Sequence, residues 1–135
     1  AGIGDRQLLH LRGLRGLQYL DLSATAITNA GLVHLEDMER LETLYLWDTA
    51  IDDAGLPFLG MLTSLRLLGL GNTAVTDAGL AHLRNLNRLK VLQLWGTEVR
   101  GPGLSHLRDL PELDVVTLPR RVRPHHRWQL RRHVR

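Results

Sequence analysis

The apolar residues of this chain follow two spacings that take turns along its length. One is a leucine pair with a single residue between, as in Leu20 and Leu22, Leu44 and Leu46, Leu68 and Leu70, and Leu92 and Leu94. Successive side chains leave a strand on opposite sides, so this alternation buries one face of a short strand. The other is a run of apolar residues three apart, as in Leu32, Leu35 and Met38, which forms one stripe along a short helix. The chain therefore reads as strand, turn and helix, repeated.

Each new strand segment begins 24 residues after the last, at Leu17, Leu41, Leu65 and Leu89. The threonines Thr25, Thr49, Thr73 and Thr97 keep that step, as do the glycines Gly31, Gly55, Gly79 and Gly103. Residues 3–16 match the second half of a unit, and Leu113, Val116 and Leu118 match the first half of another. The organisation that follows is an N-terminal half-repeat or cap helix at 1–16 and four 24-residue repeats at 17–112. A degenerate last repeat with an arginine-rich cap or tail completes it at 113–135. A unit this short cannot bury its own apolar face, so neighbours must stack into a solenoid. Strands stack about 4.8 Å apart while helices need about 10 Å, which makes the sheet side concave. The expected fold is an α/β solenoid: a right-handed coil with a concave parallel sheet and short helices on the convex side.

Asn29, Asp53 and Asp77 stand where helix N-caps are wanted, and the fourth unit offers Gly101 followed by Pro102 instead. Asp5 to Leu14 reads as an N-terminal capping helix with Leu8, Leu11 and Leu14 on one stripe. Towards the C-terminus the frame decays: Arg121 takes the threonine place, Arg123 the Ile/Val place and Arg127 the glycine place. Trp128, Leu130 and Val134 then suit a last amphipathic helix that seals the coil.

The pattern L-x-x-L-x-L-x-x-T-x-[IV]-x-D-A-G-L-x-x-L-x-x-L, best matched at Thr76-Asp77-Ala78-Gly79-Leu80, resembles bacterial leucine-rich-repeat proteins of the "TDAGL" kind. The resemblance covers residues 3–118 and implies protein-interaction or ligand-recognition work, without naming a partner. Threonine stands where many leucine-rich repeats carry an asparagine ladder. Its hydroxyl can still bond backbone at the turn.

Alternation also says which residues line the concave sheet. They are Tyr19, Asp21 and Ser23; Thr43, Tyr45 and Trp47; Leu67, Gly69 and Gly71; Val91, Gln93 and Trp95; and Val115, Thr117 and Pro119, with Asp48 and Asn72 extending the surface. Four of the chain's six aromatic residues fall on this face, and large aromatics are what interface anchors look like. Tyr19, Asp21, Tyr45, Trp47, Asp48, Gly69, Gly71, Gln93 and Trp95 are the expected partner-binding set. Two arrangements fit Gly69 and Gly71 between Trp47 and Trp95: a glycine-floored groove walled by indoles, or indoles folded over the glycines.

Charge adds a second candidate. Residues 1–118 carry ten Lys and Arg against fourteen acids, a balance of −4, whereas residues 119–135 carry seven arginines and no acid. Arg120, Arg121, Arg123, Arg127, Arg131 and Arg132 form the alternative site, one that neutralises nucleic-acid phosphates or an anionic membrane. Other chemistry finds little support. The histidines His10, His34, His82 and His106 recur on the helix side, where coils about 10 Å apart cannot share one ion. His125, His126 and His133 lack a ligand spacing, and no serine, histidine and acid converge as a triad. The chain has no cysteine, no apolar run long enough to span a bilayer and no signal-peptide pattern. The expectation is a cytoplasmic, non-enzymatic module without cofactor, metal or small-molecule substrate. It binds a protein or peptide, or is a recognition fragment of a larger sensor or effector, export of a longer parent being left open.

Overall fold

Five three-residue strands form one parallel sheet in chain order: β1 (Tyr19–Asp21), β2 (Thr43–Tyr45), β3 (Leu67–Gly69), β4 (Val91–Gln93) and β5 (Val115–Thr117). The computed structural model describes residues 2–127. Each strand pairs with the next at an offset of 24 residues, so Leu20, Leu44, Leu68, Leu92 and Val116 stand in one row. Leu44, Leu68 and Leu92 are fully buried, as are Leu46, Leu70 and Leu94 two residues on. The fold is a leucine-rich-repeat solenoid.

The opposite side is built from 3-10 turns, at Asp5–Leu11, Asn29–Leu35, Asp53–Gly55, Asp77–Leu83 and Pro102–Leu107. One α-helical turn follows the third, at Leu56–Leu59. The strict spacing of three explains this choice. Leu80, Leu83 and Leu86 eclipse one another at 3.0 residues per turn and all reach full burial, whereas a 3.6-residue turn would rotate the last away from the core. A 3-10 coil is also slimmer than an α-helix, so the two faces splay less than α-helices would impose.

Each threonine of the ladder donates its hydroxyl to the carbonyl three residues before it. Thr25 reaches Leu22, Thr49 Leu46, Thr73 Leu70 and Thr97 Leu94, at 2.6–2.7 Å. The residue just ahead of each threonine is left-handed: Ala24, Asp48 and Asn72 have φ of 55–57° and Gly96 has φ 69°.

The acids expected to cap their own helices do something else. The N-caps are Thr28, Asp52, Thr76 and Gly101. Asn29, Asp53 and Asp77 lie one residue inside and reach across to the backbone of the next coil. Asp53 accepts from Thr76 N at 2.8 Å and from the Thr76 hydroxyl, and Asp5 treats Thr28 in the same way. Asn29 accepts from Asp52 N at 3.1 Å and donates to the Asp52 carboxylate at 2.6 Å. Asp77 takes three donors, Arg100 N, Gly101 N and Gly103 N, at 2.8–3.0 Å. This crossing also explains the repeated glycine. A Cβ at Gly31, Gly55 or Gly79 would sit 2.2–2.3 Å from the side-chain oxygen of Asp5, Asn29 or Asp53.

The ends depart from the regular frame. Leu8 is buried and Leu11 packs on the core, but Leu14 is 45% exposed, so the expected N-terminal stripe ends one residue short. At the other end Val122, not position 123, enters the core, because a tight turn joins Val122 N to the Pro119 carbonyl at 3.2 Å. A short helix, Pro124–Arg127, then lays His126 against Gly101. The expected sealing residues Trp128, Leu130 and Val134 lie outside the described residues.

Candidate functional site

On the concave side the aromatic residues form one row. Tyr19 and Tyr45 meet edge to face at 6.0 Å between ring centroids, as do Tyr45 and Trp47 at 6.4 Å, and Trp47 and Trp95 meet tilted at 6.1 Å. The strand pattern sets the first contact, since Tyr19 and Tyr45 lie diagonally on adjacent strands. Edge-to-face pairs at these separations favour ordered rings. Tyr19 is 58% and Trp95 39% exposed, while Tyr45 and Trp47 are half-buried between them.

Glycine is what lets the indoles touch. Trp47 and Trp95 stand two strand spacings apart, roughly 9–10 Å at the backbone. Their rings close that gap over β3 and the residues that follow it. A Cβ at Gly71 would lie 2.0 Å from Trp95 Cε2, and one at Gly69 within 3.3 Å of Tyr45, Gln93 and Trp47. The groove with a glycine floor is therefore filled, and the second of the two arrangements open from sequence holds: the rings lie down over Gly69 and Gly71. The surface is an aromatic ridge rather than a slot.

The polar members of the set are tied to the same face. Asp21 accepts from Ser23 N at 2.9 Å, Asp48 accepts from the Asn72 amide, and Gln93 leans over Gly69. All nine residues expected to bind a partner thus lie on or beside one sheet face.

Where the ridge ends, a cavity of about 590 Å³ opens that sequence reasoning missed. It is lined by Trp95, Gly96 and Thr97 on one coil and by Leu118, Pro119, Arg120 and Arg121 on the next. Pro119 holds the place that Trp95 and Trp47 hold in earlier coils, and it is buried. A proline at the position that holds Trp47 and Trp95 in two earlier coils was the signal available in the sequence. A smaller cavity of about 340 Å³ lies at the other end, between Gly2, Ile3, Ala24, Thr25 and Ala26.

The arginines do not act as one group. Arg121 is held by Glu98 of the preceding coil at 2.7 Å. Arg120 and Arg123 are exposed, Arg127 is half-buried, and Arg131 and Arg132 lie outside the described residues. None of the described residues pairs with the Arg120 guanidinium. On the convex side His34 contacts Arg12 at 3.3 Å, and among the described residues no cluster of metal-ligating side chains occurs. Among them also no helix is long and apolar enough to cross a membrane.

Solved structures place the fold. An internalin C2 from Listeria monocytogenes is 30% identical with a TM-score of 0.74, the match covering 90% of this chain and 51% of that one. A second internalin of that organism is 20% identical with a TM-score of 0.75, covering 93% and 35%. The tropomodulin C-terminal domain from Caenorhabditis elegans is 14% identical with a TM-score of 0.70, covering 94% and 89%. The chain thus spans about half the length of the first internalin and about a third of the second. No protein-family model matches the chain, and no curated protein matches it in sequence.

Proposed function

We propose that this chain is a non-enzymatic recognition module that binds a protein or peptide through the aromatic ridge of its concave sheet. The observation that carries this reading is the row Tyr19–Tyr45–Trp47–Trp95 on a coil whose other large apolar residues are mostly leucines spent on the core. Two of the four rings, Tyr19 and Trp95, are exposed, and each of the four packs against at least one other ring of the row. Rigid, half-exposed aromatics bring contact area at little entropic cost. Five short strands make a sheet only about 20 Å across, which suits a loop or peptide better than a large obligate interface.

The test is selection of binders from a random peptide library displayed on phage, with the full chain as bait. Alanine at Tyr45 or Trp95 is expected to weaken the selected peptides at least tenfold, the loss a truncated anchor of about 1.4 kcal/mol or more gives. Alanine at the exposed convex residue Arg84 leaves them bound. Peptides that ignore both ridge substitutions refute the reading.

A second reading rests on the seven arginines of residues 119–135, which face no acid within their own segment. Glutamine at Arg123, Arg127, Arg131 and Arg132 together would then remove salt-sensitive retention on heparin. Retention that survives the fourfold change rejects it.

A further inference from the structure

The aromatic ridge stops one step short of the end of the sheet. Tyr45 and Trp47 share one coil, Trp95 meets Trp47 across the coil of Gly71, and the next equivalent position is Pro119, which is buried and too short to continue the row. Beside Trp95 this leaves the cavity of about 590 Å³, enough for two or three side chains rather than one. Its walls are apolar at Trp95, Leu118 and Pro119, and its rim carries Arg120 and Arg121. Of the two, Arg121 is already paired with Glu98 at 2.7 Å. Arg120 is exposed and no described residue pairs with it.

An indole face next to an uncommitted guanidinium selects two groups on one ligand: a ring to stack on Trp95 and a carboxylate to bond Arg120. Their spacing follows from the fold. Trp95 and Arg120 lie on adjacent coils, which stack about 4.8 Å apart, and Arg120 stands in the turn that follows β5. In an extended peptide, residues i and i+2 lie on the same side about 6.6 Å apart, an interval the long Arg120 side chain can span. The cavity is half-open, so a chain can enter and leave and need not end there.

We propose that the cavity between Trp95 and Arg120 is a specificity pocket for an acidic peptide segment, an aromatic residue followed two positions later by Asp or Glu. This rests on the concave-face reading and names the chemistry of the partner at one end of it. The ring takes the place that Pro119 leaves empty, and the side-chain carboxylate completes Arg120.

The probe is the acetylated, amidated pentapeptide Gly-Tyr-Ser-Glu-Gly, titrated into the ¹⁵N-labelled full chain and followed by NMR. Saturable shifts are expected at the Trp95 indole N–H and at the Gly96 and Thr97 amides. Exchanging Glu for Gln in the peptide should weaken binding about 5- to 10-fold, the part of a charge-assisted hydrogen bond that survives at an exposed rim. Arg120→Gln should remove the difference between the two peptides while leaving the spectrum otherwise folded. Arg123→Gln should preserve it. The proposal is overturned if the peptide does not shift the pocket signals, if the Glu and Gln peptides bind alike, or if Arg120→Gln still distinguishes them. Shifts confined to Tyr19 and Tyr45 would also overturn it, yet would leave the concave-face reading standing. Loss of the library-selected peptides' dependence on Tyr45 and Trp95 is what refutes that broader reading.

Discussion

Asp77 offers the sharpest test of how the coils hold together. Its carboxylate accepts from Arg100 N at 2.8 Å, Gly101 N at 3.0 Å and Gly103 N at 2.8 Å, all on the following coil. The fourth repeat needs this help. Its N-cap is Gly101, with φ 132° and no side chain, and Pro102 follows with no N–H to give. Asp77 therefore caps from the preceding coil what Gly101 cannot cap itself. In Asp77→Ala the exposed Arg100 N–H is taken over by water and contributes little. The part-buried Gly101 and Gly103 N–H groups each lose a charge-assisted bond of about 1.5 kcal/mol, some 3 kcal/mol together. At roughly 4 °C per kcal/mol for a chain of this size, the melting midpoint should fall about 12 °C. Asp77→Asn keeps one acceptor oxygen, as Asn29 does in its own place, and should lose about half as much. Urea unfolding followed by far-UV circular dichroism measures both, with the exposed Asp109→Ala as a control expected within about 0.5 kcal/mol of the parent. An Asp77→Ala loss below about 1 kcal/mol would show that the carboxylate does not join the coils as described.

Other substitutions probe the close approaches and the turn. A Cβ at Gly103 would meet Asp77 backbone at 2.4 Å for the carbonyl oxygen and 2.7 Å for Cα, whereas one at Gly16 meets nothing within 4 Å. Gly103→Ala should therefore cost about 3 kcal/mol and Gly16→Ala be neutral or slightly stabilising by thermal melting, and equal effects would contradict the packing. Gly71→Ala displaces the Trp95 ring, so the far-UV couplet of the two indoles should collapse with a stability loss under about 2 kcal/mol; a persistent couplet means the rings do not meet over Gly71. Ala24 is held at φ 56°, where a Cβ costs about 1 kcal/mol. Ala24→Gly should raise the midpoint by about 2 °C or less once a glycine entropy of roughly 0.5 kcal/mol is deducted, and a lower midpoint would refute the strain.

The sequence alone determined the solenoid, the register and the face on which each side chain lies. It could do so because a period of 24 with alternating leucines leaves a single stacking in which every strand meets its equivalent, Leu20 beside Leu44 beside Leu68. It also located the aromatic residues on one side, since direction along a strand is a matter of parity. The polar side-chain contacts between coils were beyond its reach. Asp53 and Asp77 have the residue type and position of ordinary caps, and only stacking reveals that their carboxylates serve the neighbouring coil and that the repeated glycine makes room for the crossing. The choice between a groove and a ridge at Gly69 and Gly71 depended in the same way on ring rotamers across three strands. The cavity at Trp95 and Arg120 arises where the last coil fails to match the one before it, with Pro119 opposite Trp95. A repeat pattern records what each unit shares with the next; the tertiary structure decides what happens at the seams and where the pattern ends, because those contacts join residues about 24 positions apart.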